Sequence, residues 1–249
     1  MSRDLSDVRA YCDRLAPRLV AVESRNWHLQ SRMALVLETI DAWATPKGRV
    51  LDVGCGTGFL LEQLGGRGFS GLGIDLSPDS VALAQERLER LGVADRLSAS
   101  TGSAYEPPDG EFDLITVTDV VEHLEDPRRS LRALRERLAP GGLVVVSTPN
   151  RRSLPGARRW LAEHGVPGIS LHLAPIDRWQ SWTDLESHGA AAGLVPVSRR
   201  GIFFRPGGRI GSQMGRAYRL EHVRRAELAL SRTPVGRYGF YVCLGFRPA

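Results

Sequence analysis

The chain has 249 residues, of which 42% are hydrophobic and 24% charged, with a formal net charge of +5. That length suits one α/β domain carrying a modest cap, and the composition excludes a disordered or fibrous chain. No apolar run approaches the ~18 residues of a membrane span, and Met1-Ser2-Arg3-Asp4-Leu5 lacks the apolar stretch of a secretory signal. Leu5, Val8, Tyr11, Cys12 and Leu15 then recur at helical spacing until Pro17 interrupts them. A second apolar stripe through Leu29, Met33, Leu37 and Ile40 predicts a helix over Trp27 to Trp43, closed by the turn cluster Thr45-Pro46-Lys47-Gly48.

Short apolar runs now alternate with helical stretches, the pattern of βαβ units on a parallel sheet. Strands are expected at Arg49 to Val53, Gly71 to Ile74, Arg96 to Ala99, Phe112 to Val117 and Gly142 to Ser147. Helices are expected at Gly58 to Leu64, Ser77 to Leu91 and Pro127 to Leu138. The run Leu143-Val144-Val145-Val146 reads as a strand covered on both faces. Beyond Pro149 the periodicity weakens: Arg151 to Ile176 reads as a loop with one short helix, and Asp184 to Ala192 as a helix closed by Gly193. Val195 to Phe204 and Tyr238 to Phe246 complete the strands, with a helical stretch between Gly211 and Ser231. The expectation is one domain over 1–249, with a helical lid at 1–44, a binding core at 45–150, and cap elements with the last two strands at 151–249.

The strongest local signal is the strand Val50-Leu51-Asp52-Val53 running into Gly54-Cys55-Gly56-Thr57-Gly58 and a helix. Glycines permit a tight turn and a close backbone approach by a ligand, and the following helix directs its first amides at it. Asp75 ends the next strand, where an acidic side chain accepts hydrogen bonds from ribose hydroxyls. The run Val50 to Gly58 resembles motif I of class I S-adenosylmethionine (SAM)-dependent methyltransferases. Asp75-Leu76-Ser77-Pro78, Phe112-Asp113-Leu114-Ile115 and Leu138-Ala139-Pro140-Gly141-Gly142 extend that similarity from Val50 to Ser147.

The resemblance implies a Rossmann-like, seven-stranded, mostly parallel sheet with helices on both faces, and SAM as cofactor. It places Gly54, Gly56 and Gly58, with Asp52 and Cys55 in the same loop, at the methionine moiety. Asp75 with Leu76 falls at the ribose, Ser103 and Ala104 beside the adenine, and Thr118 near the sulfonium. Arg32 matches an arginine that clamps the SAM carboxylate in relatives of the ubiquinone-biosynthesis O-methyltransferase type.

After the fourth strand comes Thr118-Asp119-Val120-Val121-Glu122-His123-Leu124. If a helix starts here, Asp119, Glu122 and His123 share one face at i, i+3 and i+4. The stretch is similar to a metal-holding acidic-x-x-Glu-His motif of ubiquinone-type O-methyltransferases and small-RNA 2′-O-methyltransferases, with His172 matching a further ligand. Mg²⁺ or Zn²⁺ held by Asp119, Glu122, His123 and His172 is one reading. Direct base catalysis by His123 or His172 is a second, and a structural His123 a third. His28, His164, His188 and His222 read as surface residues. Trp160, Trp179 and Trp182 border the cap, where they either wall a flat substrate or pack core and lid, and Arg151, Arg152, Arg158 and Arg159 read as a solvated loop.

Methyl transfer to a small-molecule acceptor, with a hydroxyl oxygen as the reacting atom, is the function expected. A metal-dependent RNA 2′-O-methyltransferase and a C- or N-methyltransferase are the alternatives. Lys47 is the only lysine, so the positive charge reflects an arginine-biased composition and a nucleic-acid partner is not expected. Cys12, Cys55 and Cys243 show no metal-type spacing and suit a reducing, cytoplasmic location.

Overall fold

A computed structural model describes residues 5–23, 26–165, 177–202 and 221–249. Two helices, α1 (Leu5–Val22) and α2 (Trp27–Trp43), precede the sheet. Pro17 lies inside α1 rather than ending it: the helix forfeits one hydrogen bond there and continues. Asn26 caps α2, its side chain accepting from the amides of His28 and Leu29 at 3.0 and 3.4 Å.

Strands β1 (Arg49–Val53), β2 (Ser70–Asp75), β3 (Leu97–Thr101), β4 (Phe112–Thr118), β5 (Leu138–Pro149), β6 (Leu194–Ile202) and β7 (Tyr241–Pro248) form one seven-stranded sheet in the order 3-2-1-4-5-7-6. Every pairing from β3 across to β5 is parallel, and β7 runs antiparallel between β5 and β6. The mostly parallel sheet expected from sequence is therefore present. β5 starts at Leu138, before the expected Gly142, because Leu138 pairs with Phe112 across a register shift.

Helices α3 (Phe59–Gly66) and α4 (Pro78–Arg90) cover one face, and α5 (Pro127–Glu136) and α7 (Trp182–Ala191) the other. Strand residues alternate between these two cores: Val50, Leu114, Leu143 and Val145 face the first, and Leu51, Ile115, Val144 and Val146 the second. Helix α6 (Leu154–Glu163) is the short helix expected after β5, and α8 (Glu221–Ser231) precedes β7. The helix starts follow the sequence chemistry. Ser77 and Asp126 cap α4 and α5 ahead of Pro78 and Pro127 at the first helical position, and Ser181 and Asp184 form a reciprocal capping box on α7. No helix among the described residues is long and apolar enough to cross a membrane.

Strand order reverses between β1 and β4, since β1 pairs with β2 on one side and β4 on the other. The carboxyl ends of these strands leave a crevice there, the usual ligand position in such sheets.

Candidate active site

The glycine loop after β1 holds Gly54, Gly56 and Gly58 at φ of +71, +50 and +78°, all left-handed. The three have different duties. A Cβ on Gly54 would fall 2.1 Å from Val120 Cγ2, so this glycine lets the loop after β4 approach. One on Gly58 would lie 3.1 Å from Ala84, so Gly58 serves the packing of α4 rather than the ligand surface expected of it. One on Gly56 would meet nothing within 4 Å and would project into open space. Gly56 is the glycine whose bare backbone faces the open cavity.

The amide of Gly56 donates to Asp75 Oδ2 at 2.9 Å, and the amide of Ser77 to Asp75 Oδ1 at 2.9 Å. These two bonds fix the Asp75 carboxylate at the end of β2 while leaving lone pairs free for a ligand. Burial pushes its pKa up against these bonds. Asp52, inside β1, is fully buried and accepts from Thr116 Oγ1 at 2.6 Å, while its Oδ2 has no partner among the described residues. Burial lifts its pKa to about 7.

A cavity of about 580 Å³ runs from this loop across the end of β4 to the start of β7. It gathers almost every residue singled out in the sequence: Arg32, Asp52, Gly54, Cys55, Gly56, Asp75, Leu76, Ser103, Ala104, Thr118, Asp119, Glu122 and His123. Gly58 is the exception, for the reason given. The candidate His172 lies outside the described residues, as does the side chain of His222.

The acidic–histidine segment differs from its expectation. No α-helix begins at Asp119; Val121–His123 is a single 3₁₀ turn, and Asp119 sits before it at φ +57°. Three-residue periodicity and a left-handed start dissolve the common face. Asp119 is ion-paired with Arg32, whose guanidinium lies 3.9 Å from the Tyr241 ring centroid. Glu122 is buried and accepts from Thr148 Oγ1 at 3.0 Å, and burial raises its pKa, favouring the neutral acid. Among the described residues no three His, Cys, Asp or Glu side chains converge as metal ligands. The positive charge beside Asp119 is a guanidinium, and the described part of the expected donor set, Asp119, Glu122 and His123, does not gather as metal ligands.

Several cavity residues escaped the sequence reading. Tyr11 and Cys12 of α1 and Glu23 after it form part of the wall. His28, expected at the surface, lines the cavity with its ring 5.7 Å from Phe240 and 6.0 Å from Tyr241. Trp179, one of the three tryptophans read as walling a flat substrate or packing the lid, does line it, 5.3 Å from Phe240. The expected tryptophan group is dispersed: Trp160 is exposed, and Trp182 packs in the second core. Nor is Arg159 solvated; it is buried and bonded to Asp177 and Glu163. His188 bonds Gln180 at 3.1 Å, and burial lowers its pKa.

The two N-terminal helices close over this cavity through charged contacts. Asp13 accepts from Ser77 Oγ, Glu23 pairs with buried Arg87 and accepts from Thr57 Oγ1 at 3.3 Å, and Arg32 pairs with Asp119. Thr57 carries Glu23 onto the glycine loop itself.

Residues 25–198 match the family described as a methyltransferase domain. The chain belongs to that family. It is 35% identical over 167 residues to a ubiquinone biosynthesis O-methyltransferase of Cereibacter sphaeroides, covering 64% of each chain, so it spans somewhat less than two thirds of that relative. A methyltransferase of Thermotoga maritima, described as a possible histamine N-methyltransferase, superposes with a TM-score of 0.64 at 20% identity, covering 93% of this chain and 97% of that one. The [4+2]-cyclase SpnF gives a TM-score of 0.66 at 21% identity, covering 97% and 95%. One fold thus carries a transferase and a cyclase, and the reaction has to be argued from the site.

Proposed function

We propose that the protein is a SAM-dependent methyltransferase that methylates a hydroxyl oxygen on a small, flat acceptor. One observation carries this reading. A single cavity joins a ribose-type carboxylate and an open glycine cradle to a chamber walled by Tyr11, His28, Trp179, Phe240 and Tyr241. The residues fit the cofactor: Gly56 leaves space where a side chain would intrude, Asp75 is oriented with lone pairs free, and Ser103 and Ala104 lie farther along the same wall.

Bound there, SAM supplies a methyl group on a positively charged sulfur. Asp75, with Leu76 beside it, holds the ribose hydroxyls; Gly54, Cys55 and Gly56, backed by Asp52, hold the methionine portion, with Thr118 near the sulfur. Arg32 binds the carboxylate with donors left over from its pair with Asp119. A guanidinium has five donors in a fixed fork, so both partners can be served. The aromatic walls stack the acceptor so that its oxygen meets the methyl in line, with proximity and exclusion of water supplying much of the rate. His123 takes the hydroxyl proton as the C–O bond forms, and His172 is the second candidate for that role. No step is assigned to a metal.

The lid at 1–44 works with the core at 45–150 and the cap at 151–249 as one unit. Arg151 is tied to Asp184 and Arg199 to Glu186, which supports a small-molecule partner over a nucleic acid. Three free cysteines support a reducing, cytoplasmic setting. The test is incubation with methyl-labelled SAM and a panel of hydroxylated aromatic compounds. Acceptor-dependent release of S-adenosylhomocysteine (SAH), with label recovered as an O–CH₃ group, is the expected result. SAH binding without transfer to any oxygen, nitrogen or carbon acceptor would leave a cofactor-binding fold without this activity.

A further inference from the structure

The chamber beyond His123 has one wall without regular structure, residues 177–180, yet each residue in it is anchored. Arg159 of α6 donates to Asp177 Oδ2 at 2.6 Å and also to the Asp177 carbonyl. The Arg159 guanidinium lies 4.9 Å from the Trp179 ring centroid, and its Nε donates to Glu163 at 2.7 Å. The amide of Arg178 donates to the Glu122 carbonyl at 2.8 Å, which ties the wall to the turn carrying His123. Gln180 is bridged to Asn150 and bonded to His188. An irregular segment held in this way is a built surface.

Two of its side chains enter the cavity, Asp177 and Trp179. Asp177 Oδ2 is taken by Arg159, while Oδ1 accepts no hydrogen bond from any described residue. Across the chamber stands Tyr11 of α1, whose pKa is raised by burial and then by the charge of Asp177. The wall therefore presents an indole and a carboxylate oxygen without a hydrogen-bond donor among the described residues, both held by Arg159. A charged acceptor oxygen on a cavity wall rewards a ligand donor and penalises its absence.

We infer that Asp177 is a specificity-determining residue for the acceptor: Oδ1 accepts a hydrogen bond from a second donor group, a hydroxyl or amine, on a flat ring stacked against Trp179, and Arg159 positions it. This rests on the small-molecule reading above and adds a requirement to it, that the acceptor carry a donor besides its reacting oxygen. Arg159 touches no acceptor; it acts by fixing Asp177 and backing the indole.

Calorimetric titration of the SAH complex with dihydroxynaphthalene isomers and with 2-naphthol tests the inference. At least one diol should bind about tenfold more tightly than 2-naphthol, as one hydrogen bond to a charged acceptor implies. Asp177→Ala should abolish that preference, so that diol and 2-naphthol bind alike. Arg159→Leu should erode it, with Arg159→Lys intermediate because an ammonium keeps the charge without the fork. Since Asp177→Ala strands a buried guanidinium, Asp177→Asn is the companion variant: it keeps an acceptor for Arg159, and SAH affinity reports the fold. A preference for diols that persists in both Asp177 variants overturns the assignment, as does an equal affinity of the unmodified protein for every ring. Intact SAH binding with no ring bound sinks the inference alone, whereas absent SAH binding sinks the reading beneath it.

Discussion

Arg32, one turn into the second lid helix, is ion-paired with Asp119, a non-glycine residue held at φ +57° beside the end of β4. A side chain in that region costs about 1 kcal/mol or more, and such strain persists where the surroundings impose it. Here the imposing contacts are the Asp119 amide bonded to the Ser147 carbonyl at 3.0 Å and Val120 packed into the space left by Gly54. Asp119→Gly and Asp119→Ala both delete the ion pair, but only glycine relieves the backbone. The glycine variant should be more stable by about 1 kcal/mol in urea unfolding, while both lose SAM affinity and methyl transfer to a similar degree. Equal stabilities would mean that the left-handed backbone is not strained.

Asp75 and Gly56 test the cofactor end. Asp75→Ala removes hydrogen bonds to a charged acceptor, worth about 1.5–3 kcal/mol, so SAH affinity should fall at least tenfold. Gly56→Ala places a methyl in open cavity space, whereas Gly54→Ala drives one into Val120. Loss of SAH binding with modest loss of stability is expected for Gly56→Ala, and gross destabilisation for Gly54→Ala. Thermal melts with and without SAH separate the two, and identical behaviour would erase the distinct duties assigned to these glycines.

Asp52 makes stability depend on pH. Its folded pKa of about 7, raised by burial, lies above the ~3.9 of an unfolded aspartate. The folded state thus holds the proton more tightly, and the associated stability, complete in acid, is lost as pH rises towards about 7. Asn cannot titrate, so Asp52→Asn should lose this dependence. Between pH 4.5 and pH 8 the stability of the unmodified protein relative to Asp52→Asn should fall by on the order of 1–4 kcal/mol. Asp75 and Glu122 are shifted in the same sense but are common to both proteins and cancel. Parallel stability curves in urea titrations would remove Asp52 as the buried titrating group.

The sheet was legible because its central strands carry their burial in local pattern: Leu143 to Val146 is apolar throughout and is covered on both faces. The glycine-loop end of the cavity was legible for a similar reason, since the loop from Asp52 to Gly58 is contiguous and Asp75 ends the next strand. The aromatic end was not. Phe240 and Tyr241 reach His28 from the other end of the chain, a juxtaposition set by β7 inserting between β5 and β6, to which no local periodicity points. Arg159 resembled a solvated charge because its partner Asp177 lies eighteen residues away. The Asp119 turn was misread because the spacing of its side chains fits a helix, and only the packing of Val120 on Gly54 decides against one.

The last expectation separates the ways in which the Glu122–His123 turn can work. Arg32 already pairs with Asp119, Glu122 accepts from Thr148 Oγ1, and no three ligand-type side chains converge among the described residues. Exhaustive chelation should therefore leave methyl transfer within about twofold of its starting rate, whereas loss of a catalytic metal would cost orders of magnitude. His123→Ala should lower kcat by about 10²-fold, the usual contribution of a positioned base, with SAH affinity little changed. His172→Ala, measured in parallel, assigns the proton: if it alone lowers kcat by that factor, the base is His172 and His123 shapes the chamber. Activity abolished by chelator and restored by added Mg²⁺ or Zn²⁺ would reinstate a metal and require Arg32 to leave Asp119 when the ion binds.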